Sequence, residues 1–277
     1  MKSILVPTDF SENANTAIEY ACELARSFGA KVLVMNAYTP AVTQYNIVSP
    51  LIEEETGRAR KLALEKLSAI CGLVQNQYKP VACDTKFVVG GIVDAIEQCM
   101  EEGKADMVVM GTKGASGLDK ILFGSNTTRV IEKVKRPVLA VPAGCPFQPP
   151  KRIVYATDFN NEEFGHLETL VSIAKAFGAE LMVTHITTDK AALESEKMLK
   201  GNFARQVGGL TDYPAITYFV KYEENIERAL DSFTTQVNAD WIAMYTRERK
   251  MFEKLYNPSL TKAMAYHTKI PLLAIKG

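Results

Sequence analysis

No stretch of the chain approaches the roughly 18 consecutive apolar residues that a bilayer-spanning helix requires. Its opening, Met1-Lys2-Ser3-Ile4-Leu5-Val6-Pro7, is too short and too weakly charged for a secretory leader. A cytoplasmic protein with no membrane insertion is therefore expected. Net charge is missing too: Lys plus Arg and Asp plus Glu stand at 32 each, so no overall field draws the molecule toward nucleic acid. The five cysteines, Cys22, Cys71, Cys83, Cys99 and Cys145, are odd in number and include no C-x-x-C pair. They are expected to be reduced and structural. His166, His185 and His267 have no metal-ligand spacing to one another. The hydrolytic motifs G-x-S-x-G and H-E-x-x-H are absent, which leaves no readable nucleophile–base pair.

What the chain does have is an internal repeat. An offset of 149 aligns Lys2–Val34 with Lys151–Val183 without a gap, matching Ile4, Thr8, Asp9 and Phe10 to Ile153, Thr157, Asp158 and Phe159. A second offset, 134, matches Ala105, Asp106 and Met110 to Ala239, Asp240 and Met244, and Pro137 to Pro271. The change of offset makes the second copy 15 residues shorter, around Thr39–Tyr78. Residues 144–150, rich in proline that cannot donate to a sheet or helix, read as a linker. The expected domains are thus 1–143 and 151–277.

Within each copy, short apolar runs alternate with longer helical patterns, which is the signature of a parallel sheet with crossover helices. In the first copy the strands are predicted at Ser3–Val6, Lys31–Ala37, Asp84–Val89, Asp106–Met110 and Pro137–Val141. Ala14, Ile18, Ala21, Leu24, Ala25 and Phe28 recur at helical spacing, with Ser11 as the N-cap and Gly29 as the C-cap. Ligands of such sheets bind beyond the carboxyl ends of the strands, where strand order reverses. That singles out Pro7-Thr8-Asp9, Asn36-Ala37-Tyr38 and the stretch after Met110.

After Met110 come Gly111-Thr112-Lys113-Gly114, nine further residues, and Gly124-Ser125-Asn126-Thr127 opening a helical pattern. Glycines let backbone amides approach an anion, a helix start presents unpaired N–H groups, and the hydroxyls of Ser125 and Thr127 add donors. Lys113 and Lys120 could supply charge. The bland alternative is a turn at Gly111 and Gly114 with Ser125 capping a helix. For Asp9, the alternatives are a group facing a ligand and a carboxylate capping local amides.

These residues resemble the ATP-binding branch of the universal stress protein family, whose motif is Gly, two residues, Gly, nine residues, Gly, then Ser or Thr. Gly111, Gly114, Gly124 and Ser125 fit it, and the resemblance extends to Ile4–Asp9, Ala105-Asp106 and Pro137–Pro142 and to both halves of the chain. It implies an α/β fold of two tandem, five-stranded parallel-sheet domains of the adenine-nucleotide alpha-hydrolase-like (Rossmann-like) type. It further implies ATP, with or without Mg2+, as the cofactor. The adenine would lie on Pro7, Asp9 and the backbone near Ala37, and Thr8 and Met110 are counted among the nucleotide-binding residues. The phosphates would lie on Gly111, Gly114, Gly124, Ser125 and Asn126, with Lys113 and Thr127 adjoining.

In the second copy Gly111, Gly114 and Gly124 become Tyr245, Glu248 and Pro258, while Ser125 stays as Ser259 and Asp9 as Asp158. The cradle is lost there, and one nucleotide per chain is expected. Retention of Asp158 leaves room for a structural role of this aspartate. The replacing run Thr246–Lys254 is either an altered anion site or a solvated face.

The leading expectation is a stress-response regulator that binds ATP with little or no turnover. Two alternatives stand beside it: a slow ATP hydrolase, and a scaffold for an apolar or lipid-like ligand with Thr39–Tyr78 as a lid (Tyr38, Val42, Tyr45, Ile47, Val48, Leu51, Ile52). The apolar final strands, Val138–Val141 and Leu272–Ile275, would be exposed edges in isolated copies. They are expected to pair as an internal pseudo-dimer, with a homodimer of chains as a weaker extension.

Overall fold

The computed structural model describes residues 1–40, 50–112, 124–159, 164–246 and 269–276. They fall into two compact units, Met1–Gly144 and Cys145–Gly277. The first runs β1 (Ser3–Pro7), α1 (Glu12–Phe28), β2 (Lys31–Tyr38), α2 (Pro50–Gln77), β3 (Cys83–Val89), α3 (Ile92–Glu101), β4 (Met107–Gly111), α4 (Ser125–Lys133) and β5 (Val138–Val141). Its strands lie in the order β3-β2-β1-β4-β5, all parallel. The second unit runs β6 (Arg152–Ala156), α5 (Phe164–Phe177), β7 (Glu180–Thr187), α6 (Leu193–Leu210), β8 (Ile216–Tyr222), α7 (Ile226–Gln236), β9 (Trp241–Thr246) and β10 (Leu272–Lys276). Its order, β8-β7-β6-β9-β10, is the same parallel arrangement.

Helices cover both faces of a parallel sheet, so its central strands carry unbroken apolar runs. Ile4-Leu5-Val6 and Val108-Val109 are fully buried, as is the matching Ile153-Val154. At about 1.5–3 kcal/mol per large side chain, these strands are the main stabilising element of each core. The helix after β1 forms as its spacing predicts. Ser11 accepts a hydrogen bond from the Ala14 amide, Gly29 closes the helix at φ 62°, and Ala17, Ala21, Leu24 and Ala25 are fully buried.

Strand ends differ from the sequence reading by about one residue. Asp106 lies just before β4 because its carboxylate accepts hydrogen bonds from the amides of Lys2 (2.5 Å) and Ser3 (3.2 Å). Asp240 does the same for Lys151 (2.7 Å) and Arg152 (2.8 Å). Pro137, which has no amide hydrogen, precedes β5 and contributes only its carbonyl, to Val108.

The larger difference is the segment 39–78, offered as a lid in the apolar-ligand alternative, which over Pro50–Gln77 is the 28-residue helix α2. Ala63, Leu67 and Val74 form its buried stripe, but Leu62, Leu64 and Leu73 point outward and blur the period. Val42, Tyr45, Ile47 and Val48 lie outside the described residues, as do Lys113, Gly114 and Lys120 of the motif. Its counterpart α6 has 18 residues, which accounts for most of the shortening of the second copy. Among the described residues no helix is long and apolar enough to cross a membrane.

Candidate functional site

β1 has β2 on one side and β4 on the other. Chain order therefore reverses between β1 and β4, and a crevice opens beyond their carboxyl ends. The turn leaving β1 is held from three directions. The Thr8 amide donates to the Met35 carbonyl (2.8 Å), the Asn36 side-chain amide donates to the Thr8 carbonyl (2.8 Å), and the Thr8 hydroxyl accepts from the Phe10 amide (3.0 Å). Phe10 sits at φ 65°, a strained conformation for a non-glycine residue. This turn lifts Asp9 to the surface, where one carboxylate oxygen accepts from the Ser11 amide (3.1 Å). The capping contact weighed for Asp9 is therefore present, with the side chain still exposed to the crevice.

On the β4 side, Thr112 donates its amide to Val141 and accepts the Gly124 amide on its own carbonyl at 2.5 Å. Residues 112 and 124 are thereby joined across the motif. Helix α4 starts with Gly124 as its N-cap, at φ −60° and ψ 151°, and Ser125 is the first helical residue. Ser125 is therefore not the cap. The Thr127 hydroxyl, expected as a ligand donor, is buried and donates to the Gly111 carbonyl (3.0 Å). The Gly124 amide is engaged as well, so the groups facing outward are the first-turn amides of Ser125, Asn126 and Thr127, which have no intrahelical acceptor.

The crevice brings together Pro7, Thr8, Asp9, Ala37, Met110, Gly111, Gly124, Ser125, Asn126 and Thr127. Ala14, Ile92 and Thr112 also line it and were not singled out from the sequence. Ile92 is delivered by the turn Gly90-Gly91 after β3, in which Gly90 has φ 141° and its amide bonds the Tyr38 carbonyl. That glycine pair was the available signal. The cavity measures about 210 Å³, below the roughly 300–1,000 Å³ of drug-sized pockets, so a ligand of nucleotide size would project beyond it. None of the described lining residues is cationic, and attraction for an anion would come from the amides and dipole at the start of α4. Just outside, the Tyr38 hydroxyl donates to Glu55 of α2 (3.0 Å), and that hydrogen bond, with some desolvation, raises the tyrosine above the usual phenol range.

The second unit repeats the β1 turn closely. The Thr157 hydroxyl accepts from the Phe159 amide (2.8 Å), Phe159 has φ 57°, and His185 replaces Asn36 in donating to the Thr157 carbonyl (2.8 Å). The far ring nitrogen of His185 lies 3.4 Å from Glu196 of α6, and Phe159 rests against the rings of both His185 and Phe203. At the end of β9, Tyr245 pairs with Ile275 as Gly111 pairs with Val141. Glu248, Pro258 and Ser259 lie outside the described residues.

An open parallel sheet of order 3-2-1-4-5 defines the Rossmann-like α/β class; that order occurs in both units, and the first opens a crevice at its reversal point. The chain belongs to the universal stress protein family, whose sequence model matches residues 1–142 and again 149–276. A universal stress protein of Methanocaldococcus jannaschii is 33% identical over 147 residues, spanning 50% of this chain and 81% of its own length. One of Mycolicibacterium smegmatis is 22% identical over 298 residues, covering 99% of this chain and 96% of its own. The fold is that of a universal stress protein from Archaeoglobus fulgidus, at a TM-score of 0.75 and 20% identity, over 99% of this chain and 98% of that one.

Proposed function

We propose that the chain is a nucleotide-binding stress-response regulator that takes one adenine nucleotide, ATP, in its first unit. The observation that supports this most directly is the start of α4, whose free first-turn amides open into the crevice beside Gly111 at the end of β4. The phosphates would lie on Gly111, Gly114, Ser125 and Asn126, with Lys113 adding charge. The base and ribose would lie toward Pro7, Asp9, Ala37 and Ile92. A Mg2+ ion, if it accompanies the nucleotide, would ride on phosphate oxygens, with Asp9 the carboxylate lining the crevice. The ATP supplies charge and shape to be recognised, and the residues named act by binding and orienting it.

The test is calorimetric titration of ATP into the purified full chain. One site per chain is expected, and Ser125→Glu should weaken it by more than about tenfold. Absence of binding, two sites per chain, or unchanged affinity in the variant would overturn the reading.

A further inference from the structure

Three of the five cysteines, far apart in sequence, converge in the first unit: Cys22 on α1, Cys71 on α2 and Cys83 on the edge strand β3. The Cys71 thiol donates to the Cys83 carbonyl at 2.8 Å, which brings the two cysteines together, while the Cys83 thiol is directed at the Asp84 carbonyl (3.8 Å). Cys22 is close enough to act electrostatically on both. Cys22 is 0% and Cys83 6% exposed, whereas Cys71 is half-buried, so solvent reaches this cluster through Cys71. None of the three lines the crevice. A pair of adjacent cysteines with one thiol accessible and the other sheltered is an arrangement that suits thiol oxidation followed by closure.

We propose that Cys71 and Cys83 form a reversible disulfide that joins α2 to β3 when the chain meets a peroxide. The Cys71 thiolate attacks a peroxide oxygen; the O–O bond breaks, hydroxide leaves and is protonated to water, and Cys71 becomes a sulfenic acid. The Cys83 thiolate then attacks the Cys71 sulfur; the S–O bond breaks and a second hydroxide leaves as water. Overall two thiols and one hydrogen peroxide give one disulfide and two waters, the sulfurs losing two electrons and the peroxide gaining them. A dithiol reverses the change by exchange. Burial, then the hydrogen bond and charge of Cys71, push the Cys83 thiol well above its usual range, so closure is slow near neutral pH and quickens as pH rises.

The reduced full chain is treated with hydrogen peroxide, its remaining thiols are alkylated, and the digest is mapped by mass spectrometry. The expected result is a Cys71–Cys83 linked peptide, a fall of two in titratable thiols from the original five, and full recovery with dithiothreitol. The half-buried Cys71→Ser variant should form no disulfide at all. The proposal is overturned if all five thiols survive or if the link runs through Cys22, Cys99 or Cys145. Overoxidation of Cys71 with Cys83 still free, or a disulfide in Cys71→Ser, would also overturn it.

Discussion

A β-carbon added at Gly111 would lie 2.5 Å from the side-chain nitrogen of Asn13 and 2.9 Å from its carbonyl oxygen. The end of β4 is therefore pressed against the first turn of α1, and glycine is required there for packing before any ligand is considered. Gly111→Ala should destabilise the protein by about 1–3 kcal/mol, as overpacking of a tight contact does. Chemical denaturation of the full chain measures it, and a neutral outcome would show that α1 yields easily.

Ser125 separates binding from stability. A glutamate at the first position of α4 complements the helix dipole and should leave the protein unchanged or up to about 1 kcal/mol more stable. The same charge stands where phosphate would lie, and ATP affinity should fall more than about tenfold, equivalent to roughly 1.4 kcal/mol. Thermal unfolding and calorimetry on one preparation give both numbers.

Thr127 ties α4 to β4 through its hydroxyl and the Gly111 carbonyl. Thr127→Val keeps the volume but removes the donor, and should cost about 1 kcal/mol, since the part-buried carbonyl loses this partner. Thr127→Ser keeps the donor and should recover most of the loss. If both variants unfold alike, the methyl group and not the hydrogen bond matters.

Asp106 and Asp240 hold the chain at the start of β1 and β6, and Asp106 does so at the end of its sheet opposite the crevice. Asp106→Ala and Asp240→Ala should each cost about 1–2 kcal/mol. Neither should change ATP affinity, which calorimetry can check directly.

Glu102 is bridged by Lys104 (2.5 Å) and Lys86 (3.1 Å), and these two ammonium groups hold its carboxyl down to about 2. A carboxylate lowered in the fold contributes stability that is fully present above its ordinary value of 4.5 and is lost as pH falls toward about 2. The stability gap between wild type and Glu102→Gln should therefore narrow across that window. A gap that stays constant from pH 6 to pH 3 would show that the pair of lysines contributes nothing measurable.

Repetition, period and punctuation made the architecture readable. Two gapless registers revealed the duplication, because equivalent strands in equivalent sheets need the same apolar runs and the same aspartate at their start. Ser11 and Gly29 marked the ends of α1 through local backbone chemistry, which needs no knowledge of the rest of the fold. Pro7, Asp9, Gly111 and Ser125 could be grouped because a parallel sheet gathers the ends of its strands.

Contacts between elements distant in sequence were decided only by the tertiary structure. Nothing local says that Asn13 abuts Gly111, that Thr127 spends its hydroxyl on a carbonyl, or that Ile92 completes the crevice wall. Helix α2 was hidden because its outward leucines mask the buried stripe of Ala63, Leu67 and Val74. The meeting of Cys71 with Cys83 depends on how that helix lies over an edge strand. The chain's own pattern thus determined which strands and helices form. Packing decided which polar groups are consumed in holding them together and which remain to face a ligand.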